Sequence, residues 1–414
     1  MSTPSWSNMA RVFGRIGLLS FGGPAAQIAL MHRELVETRY WLSEQSYLRA
    51  LSLCMLLPGP EAMQLATYAG WRLRGTWGGL LAGLLFVIPG AIVIALLALL
   101  YANFGQLPLV QAAFLGIKAA VIVVVFQALR KVAGKALIGA QGYVIALLSF
   151  LALFVLGLPF PLIIIVAGLW GVLRAGDRAP QETPEPQNAA PLRTIALWGA
   201  LWAVPLVALW ALDADFLLQL GLFFSKLAVV TFGGAYAVLG YMTQTVVSDF
   251  GWITTEQMID ALGLAETTPG PLILVTQFVA LLAGFAQSGI GGAIAAGVLA
   301  LWVTFTPCFL WIFLAGPYLE KISVQPRLSA GLTAITAAAV GVIANLTLWF
   351  AIHVLFTVVP EPRVLALPLP DWTSFDPIAA GLAALAAVMM LYFKIGFVRT
   401  MAALGTWALG FGLL

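Results

Sequence analysis

Apolar runs long enough for a membrane-spanning helix follow one another along almost the whole chain, and they constrain its fold more than any other feature. One bilayer crossing needs roughly 20 apolar residues in a helix. Only 9% of the 414 residues are charged, whereas an average soluble domain has about 25%. The chain is therefore predicted to be an all-α polytopic membrane protein.

No part of the sequence suggests a nucleotide-driven motor or a catalytic centre. The longest polar stretch covers only residues 174–193, and no GxxxxGK[ST] phosphate-binding loop occurs. Any uphill transport is therefore expected to draw on an ion gradient. The GxSxG and HExxH patterns of hydrolases are also absent. Cys54 and Cys308 lie within apolar runs, so we predict neither a metal site nor a cofactor, and no enzyme activity.

Two Gly/Pro motifs recur along the chain at one fixed separation of 211 residues. Ser20-Phe21-Gly22-Gly23 returns as Thr231-Phe232-Gly233-Gly234, and Pro58-Gly59-Pro60 returns as Pro269-Gly270-Pro271. Residues 20–60 share 13 identities with their counterparts without a gap. Apolar bias alone would not place Gly/Pro motifs in register, so the chain is predicted to contain two homologous halves.

Six apolar runs are assigned to each half. They lie near 12–32, 48–71, 78–102, 108–129, 141–157 and 159–174, and near 221–243, 258–285, 289–315, 328–358, 376–393 and 396–414. One unmatched run, 194–212, lies between the halves, so the second half is expected to enter the membrane inverted. We predict about 13 transmembrane helices in two inverted-topology repeats with broken helices. The expected domains are an N-terminal repeat (1–175), a cytoplasmic linker (176–193), an inverting helix (194–215) and a C-terminal repeat (216–414).

Basic residues indicate the orientation of this arrangement. It places 14 of the 20 Lys+Arg on one side of the membrane. Cytoplasmic loops collect Lys and Arg. The N-terminus is therefore predicted to be cytoplasmic.

The Gly/Pro motifs are the predicted binding site. Half-helices beginning at Gly23 and Gly59 would point free N–H groups toward the membrane centre, with Pro24 and Pro60 suited to the first helical position. Such helix N-termini attract anions, and paired broken helices in inverted repeats indicate a secondary transporter. The alternative is that the glycines only allow helices to pack closely.

Three charged residues at predicted membrane depth are further candidates, because charge is costly there and usually functional. Glu61 shares a polar helix stripe with Gln64 and Tyr68. Glu61 and Glu266 are candidates for proton coupling, since loss of hydration favours a neutral carboxyl. Lys118 is a candidate cation for an anionic substrate. The alternatives are a carboxylate that neutralises a helix dipole for Glu61 and a snorkelling side chain for Lys118.

These motifs resemble the long-chain, two-domain form of the chromate ion transporter (CHR) family, over essentially the whole chain. The signature positions of the family fall on Gly22, Gly23, Pro24, Gln27, Trp41, Pro58, Gly59, Pro60, Glu61 and Gln64. The resemblance implies export of chromate across the bacterial inner membrane, driven by the proton motive force, and chromate resistance. One departure is Ala235, which stands where the first half has Pro24.

The candidate substrate-binding residues combine the motifs, the resemblance and the buried cation. They are Ser20, Phe21, Gly22, Gly23, Pro24, Gln27, Pro58, Gly59, Pro60, Gln64, Lys118, Thr231, Gly233, Gly234, Pro269, Gly270 and Pro271. The expected partners are chromate, protons and the lipid bilayer, with no nucleic acid, and a homodimer is left open. Sulfate or another tetrahedral oxyanion is the alternative substrate, and a membrane-embedded enzyme or scaffold is the alternative outside transport.

Overall fold

The computed structural model describes residues 3–175, 190–232, 234–319, 325–360 and 369–412. These residues form helices joined by short connections, with one isolated β-bridge between Phe356 and Phe375. By length and composition, four of the described helices could cross a bilayer: Glu61–Phe104, Pro191–Ala211, Leu272–Tyr318 and Pro326–Leu355. An all-α protein with several membrane-spanning helices is thus confirmed, and the count of 13 stays a prediction.

The α-helices of the described residues follow in chain order. They are α1 (Trp6–Leu19), α2 (Gly23–His32), α3 (Glu44–Leu56), α4 (Glu61–Phe104), α5 (Pro108–Ala136), α6 (Gly139–Phe154), α7 (Phe160–Arg174), α8 (Pro191–Ala211), α9 (Asp215–Val230), α10 (Ala235–Gln244), α11 (Thr255–Thr267), α12 (Val275–Ala315), α13 (Pro326–Leu355), α14 (Pro377–Ala387) and α15 (Phe397–Gly412). Short π-helical turns cover Arg33–Thr38, Thr245–Asp249 and Val388–Tyr392, and 3-10 turns cover Leu272–Leu274, Gly316–Tyr318 and Trp372–Ser374.

Helices end at the Gly/Pro motifs of the first half, as the sequence predicts. The chain leaves α1 at Leu19 and enters α2 at Gly23, with Gly22 at φ 83° as the N-cap. It leaves α3 at Leu56 and enters α4 at Glu61, with Gly59 at φ 118°. Positive φ is open to glycine without steric cost, so these glycines permit both breaks.

The same irregularities recur in the second half. The π-helical turns after α2 and α10 are each closed by a tryptophan N–H, from Trp41 to Leu35 O (2.8 Å) and from Trp252 to Val246 O (2.9 Å). Those donors and acceptors are separated by the same 211 residues as the motifs. The two halves therefore share local backbone structure as well as sequence.

The two longest helices kink at corresponding places. Non-helical backbone occurs at Arg74 and Gly75 in α4, and at Ser288 and Gly289 in α12, with φ of 63° and 64° at the two glycines. The first kink falls between the predicted spans 48–71 and 78–102, and the second falls at the boundary between 258–285 and 289–315. The sequence thus locates the boundary between those spans. In the structure, each boundary is a kink inside one long helix, α4 or α12.

The chain forms two compact units, and each contains residues from both halves. The first unit comprises Met1–Leu99, Ala175–Ala235 and Thr268–Ser329. In it, α8 packs against α9 and α12. The ring of Trp198 from α8 stacks on Phe309 of α12 with centroids 5.6 Å apart.

The second unit comprises Leu100–Arg174, Tyr236–Thr267 and Ala330–Leu414. Here α5 packs against α11, α14 and α15. Small buried residues on α5, Ala119 and Ala120, contribute to one apolar cluster with Leu382 of α14 and Leu404 of α15. Small side chains let helices approach closely, and this packing holds Lys118 of α5 near α11.

Candidate functional site

In the first unit, the broken helices of the two halves meet through two reciprocal backbone hydrogen bonds. The Gly59 N–H donates to Thr231 O (2.8 Å), and the Gly270 N–H donates to Ser20 O (2.9 Å). Each bond joins the Pro-Gly-Pro motif of one half to the residue that precedes Phe-Gly-Gly in the other. We call these four residues the motif crossing.

One buried amide side chain strengthens the motif crossing. Gln27 is 1% exposed, and its Nε2 donates to Ser20 O (3.1 Å) and to Gly270 O (2.7 Å). Gln27 Oε1 has no hydrogen-bond partner among the described residues. The counterpart of Gln27 in the second half is Val238, so this double donation occurs on one side of the crossing.

Replacing Gln27 with glutamate is expected to destabilise the fold. The carboxyl oxygens cannot make both N–H donations to Ser20 O and Gly270 O, and a buried acceptor that loses its donor costs about 1–3 kcal/mol. Thermal unfolding of the purified protein in detergent measures the change. Gln45→Glu is the control, because Gln45 is exposed on α3. Equal melting of the two variants would contradict the structural role of Gln27.

The space around Gly59 is filled by side chains from two helices. Gln64 of α4, also fully buried, donates from Nε2 to Pro58 O (2.7 Å). A Cβ built on Gly59 would lie 2.9 Å from that Nε2 and 2.9 Å from Cys308 Sγ of α12. Glycine is therefore favoured at this position by its φ, and an added Cβ would force the side chain of Cys308 or Gln64 to shift.

The expectation of a free N–H at Gly59 is not met, because Thr231 O accepts it. Moreover, α4 begins at Glu61, so Pro60 is the residue before the helix and not its first residue. The other half-helix agrees with expectation: α2 begins at Gly23 with Pro24 in its first turn. No side chain caps α2, and Phe21 and Gly22 are exposed, so this N-terminus is accessible.

The second half breaks its helices at the same two motifs, but the helices that follow begin differently. Gly233 lies outside the described residues, Gly234 has φ 98°, and α10 begins at Ala235. After Pro269, Gly270 and Pro271, a 3-10 turn precedes α12, whereas in the first half α4 follows Pro60 directly. The Thr231 hydroxyl is turned back on its own helix, donating to Leu227 O (2.6 Å).

The two predicted proton-coupling carboxyls have different surroundings. Glu61 is half-buried at the first position of α4, and Gln64 and Tyr68 of its stripe are buried. Glu266 lies on α11 in the second unit and accepts a hydrogen bond from the Tyr236 hydroxyl of α10. The two carboxyls thus lie in different units, Glu61 in the first and Glu266 in the second.

Two carboxylates share Lys118, the candidate cation of the first half. Lys118 Nζ lies 3.9 Å from Asp260 Oδ1 and 4.0 Å from Glu256 Oε2. Sequence reasoning missed Asp260, although it lies inside the predicted span 258–285. An acidic residue within that apolar run was the available signal.

The second unit also contains a cavity of about 810 Å³. Lys118 and Glu256 line it, together with polar side chains from α10 and α13 that include Thr243, Asn345 and His353. A cavity of this size has ample room for a small oxyanion and its hydrating waters.

The sequence matches a family of known proteins over most of its length. A family model described as "Chromate transporter" matches residues 7–172 and 218–411. The chain belongs to the chromate transporter family. Both matched segments contain one Phe-Gly-Gly and one Pro-Gly-Pro motif, so all the residues of the motif crossing lie within the matched segments.

Curated relatives match the chain across both halves. The "Chromate transport protein" of Cupriavidus metallidurans is 33% identical over 340 residues, 80% of this chain and 79% of the relative. That of Pseudomonas aeruginosa is 33% identical over 349 residues, 83% and 80%. The "Probable chromate transport protein" of Synechococcus elongatus is 32% identical over 341 residues, 82% and 83%. No solved structure matches the chain.

Membership in the chromate transporter family supports chromate transport as the activity and a transporter in place of an enzyme. Together with the long apolar helices, it indicates a multi-pass membrane protein of bacteria.

Proposed function

We propose that this family member exports chromate from the bacterial cytoplasm as a secondary transporter driven by the proton motive force, and thereby confers chromate resistance. The observation that carries the proposal is the motif crossing, where broken helices of both halves exchange hydrogen bonds. Broken backbone at membrane depth is tolerated where it is buried in protein or lines a water-filled cavity. Paired broken helices also mark the binding sites of many secondary transporters.

The proposed architecture follows from the sequence halves. It has about 13 transmembrane helices in two inverted repeats, 1–175 and 216–414, with the linker 176–193 and the inverting helix 194–215 between them. Support comes from α8, a single apolar helix between the halves, and from the reciprocal bonds of the motif crossing, which a twofold relation between repeats would produce. The N-terminus is cytoplasmic in the inner membrane, following the bias of Lys and Arg.

The proposed substrate site is formed by the motif residues of both halves. Chromate is a tetrahedral dianion, and the accessible first turn of α2 offers N–H groups and a partial positive charge to such an ion. Glu61 and Glu266 are proposed to carry protons, because ionisable groups at membrane depth often form proton relays. Rocking of the repeats about the motif crossing would expose the site to each side in turn.

The test is chromate flux into proteoliposomes with an imposed pH gradient. Wild-type protein is expected to accumulate chromate when the gradient is applied, and Glu61→Gln is expected to abolish this flux, since an amide cannot take up the proton. Glu37→Gln is the matched control, because the Glu37 side chain is 59% exposed beside His32. Unchanged flux in Glu61→Gln would remove the proposed proton role of Glu61.

The same assay separates the alternative functions. Sulfate that displaces chromate at equal concentration would favour a general carrier of tetrahedral oxyanions, because donors that recognise shape and charge accept both ions. Absence of chromate counterflow in wild-type protein would favour an embedded enzyme or scaffold and would overturn the proposal.

A further inference from the structure

In the second unit, residues from three helices bring ionisable groups to one buried carboxylate. Asp260 of α11 is fully buried. The Tyr101 hydroxyl of α4 donates to Asp260 Oδ2 (2.8 Å), and Lys118 Nζ of α5 lies 3.9 Å from Oδ1. Glu256, one turn earlier on α11, completes the charged and titratable groups that face Asp260 within the described residues.

The contacts of Asp260 leave one of its oxygens incompletely stabilised. Asp260 Oδ1 has no hydrogen-bond partner among the described residues, because the distance to Lys118 exceeds hydrogen-bonding range. An ionised carboxylate away from water is costly unless it is paired and hydrogen-bonded. How well the negative charge of Asp260 is stabilised therefore depends on the position of the Lys118 ammonium group.

Lys118 stands between this buried carboxylate and the water-accessible cavity. Its side chain is 13% exposed, whereas that of Glu256 is 71% exposed. Lys118 and Glu256 both line the cavity of about 810 Å³, and Asp260 lies behind them. Nζ lies at nearly equal distances from the two carboxylates, so the lysine charge is shared between a buried group and a group that lines the cavity.

The charge balance of the cluster opposes a dianion until a proton arrives. With Lys118, Asp260 and Glu256 all ionised, the cluster has one excess negative charge, which repels an anion in the cavity. Asp376, the remaining acid in the cavity wall, accepts the N–H groups of Ile378 and Ala379 (2.8 and 3.0 Å). A proton on Asp260 cancels the excess and leaves Lys118 free to face the cavity.

We propose that Asp260 takes up a coupling proton and thereby releases Lys118 to bind an oxyanion at a second site, the cavity of the second unit, in addition to the motif residues of the first unit. In the step, the Asp260 carboxylate gains a proton to become a carboxylic acid, and no other covalent bond changes. Tyr101 is a positioning residue that holds the carboxyl against Lys118. The inference rests on the proposed transport of an oxyanion coupled to protons, and it adds a carboxyl that the sequence motifs did not indicate. Because proton uptake favours anion binding, the proton and the dianion move together. Their joint export carries one net negative charge outward, which the inside-negative membrane potential of the proton motive force drives.

Asp260→Asn is the central test, because asparagine imitates the protonated acid in shape and charge. In proteoliposomes we expect chromate counterflow to persist while accumulation driven by a pH gradient falls about tenfold or more. Chromate binding to the purified variant should also lose its dependence on pH. Asp249→Asn is the matched control, since Asp249 is exposed in the π-helical turn of the same half.

Lys118→Gln tests the binding half of the proposal. We expect chromate affinity to fall about tenfold or more at every pH, because the only cation of the cluster is removed. Lys135→Gln is the control, since Lys135 is exposed at the end of the same helix.

Tyr101→Phe should shift the pH midpoint of chromate binding and leave the plateau affinity unchanged. This milder variant keeps the test decisive if Asp260→Asn does not fold.

The outcomes distinguish this inference from the transport function. If a pH gradient drives chromate accumulation equally well in Asp260→Asn and in the wild type, the role of Asp260 is overturned while chromate export stands. A wild-type protein that moves chromate without any response to pH would overturn both the coupling and this inference. Unchanged chromate affinity in Lys118→Gln would exclude Lys118 as the anion ligand.

Discussion

Replacing Gly90 with alanine is expected to destabilise the protein and to abolish chromate flux. Gly90 lies in α4, where a Cβ would stand 2.2 Å from Pro269 O and 2.7 Å from Leu274 Cδ1. The carbonyl cannot withdraw easily, because the following residue, Gly270, is held at the motif crossing by Ser20. Helix α4 would have to move instead, and such overpacking costs about 1–3 kcal/mol or more.

Thermal unfolding in detergent and chromate counterflow measure this effect. Gly199→Ala is the matched control, since Gly199 lies in α8 and a Cβ added there would meet no described atom of another element within 4 Å. Alanine in an open helical position is expected to be neutral or to stabilise by up to about 1 kcal/mol. If the two variants melt alike, the close approach of α4 to the second Pro-Gly-Pro motif is incorrect.

Gly59→Ala is expected to have the second large effect, because strain and crowding add at one residue. A side chain at the observed φ of 118° costs at least about 1–2 kcal/mol. Contacts of 2.9 Å to Cys308 Sγ and to the Gln64 amide add about 1–3 kcal/mol of overpacking. The displaced Gly59 N–H would also lose Thr231 O, so chromate flux should fall together with stability.

Two further glycines separate strain from crowding. Gly139→Ala has a positive φ of 68° with no described atom within 4 Å, so strain alone should act there. At Gly270, the side-chain atom nearest to an added Cβ is Leu274 Cδ1 at 3.0 Å, which is the flexible end of that side chain. Gly270→Ala should therefore cost less than Gly59→Ala. Cys308→Ala should partly rescue Gly59→Ala. Equal losses at Gly59 and Gly139 would show that the crowding has no effect.

Much of the local structure is predictable because it depends on neighbouring residues. Gly22 and Gly59 take positive φ at the predicted breaks, and Gly75 and Gly289 do so at the kinks between predicted spans. These features follow from the freedom of glycine and from the missing N–H of proline. The membership in the chromate transporter family is equally readable, since its motifs are short and contiguous.

The candidate site is only partly predictable, because its contacts join distant residues. The motifs indicate the residues of the motif crossing. They also suggest that the Gly59 N–H binds substrate, whereas in the structure it donates a hydrogen bond to Thr231 O. The sequence likewise indicates Lys118 as a buried cation without revealing its partner Asp260. Which acid meets which base depends on how α5 and α11 pack, and no local pattern reports that.

By itself, the sequence determined an all-helical membrane protein, its two related halves, the positions of its helix breaks and its family, because hydrophobic length and Gly/Pro chemistry act over a few residues. Only the tertiary structure decided that the two halves exchange hydrogen bonds at the motif crossing, that Gln27 donates to both, and that Lys118 is shared by two carboxylates. Those pairings join residues far apart in the chain, and buried polar groups find their partners only once the helices have packed.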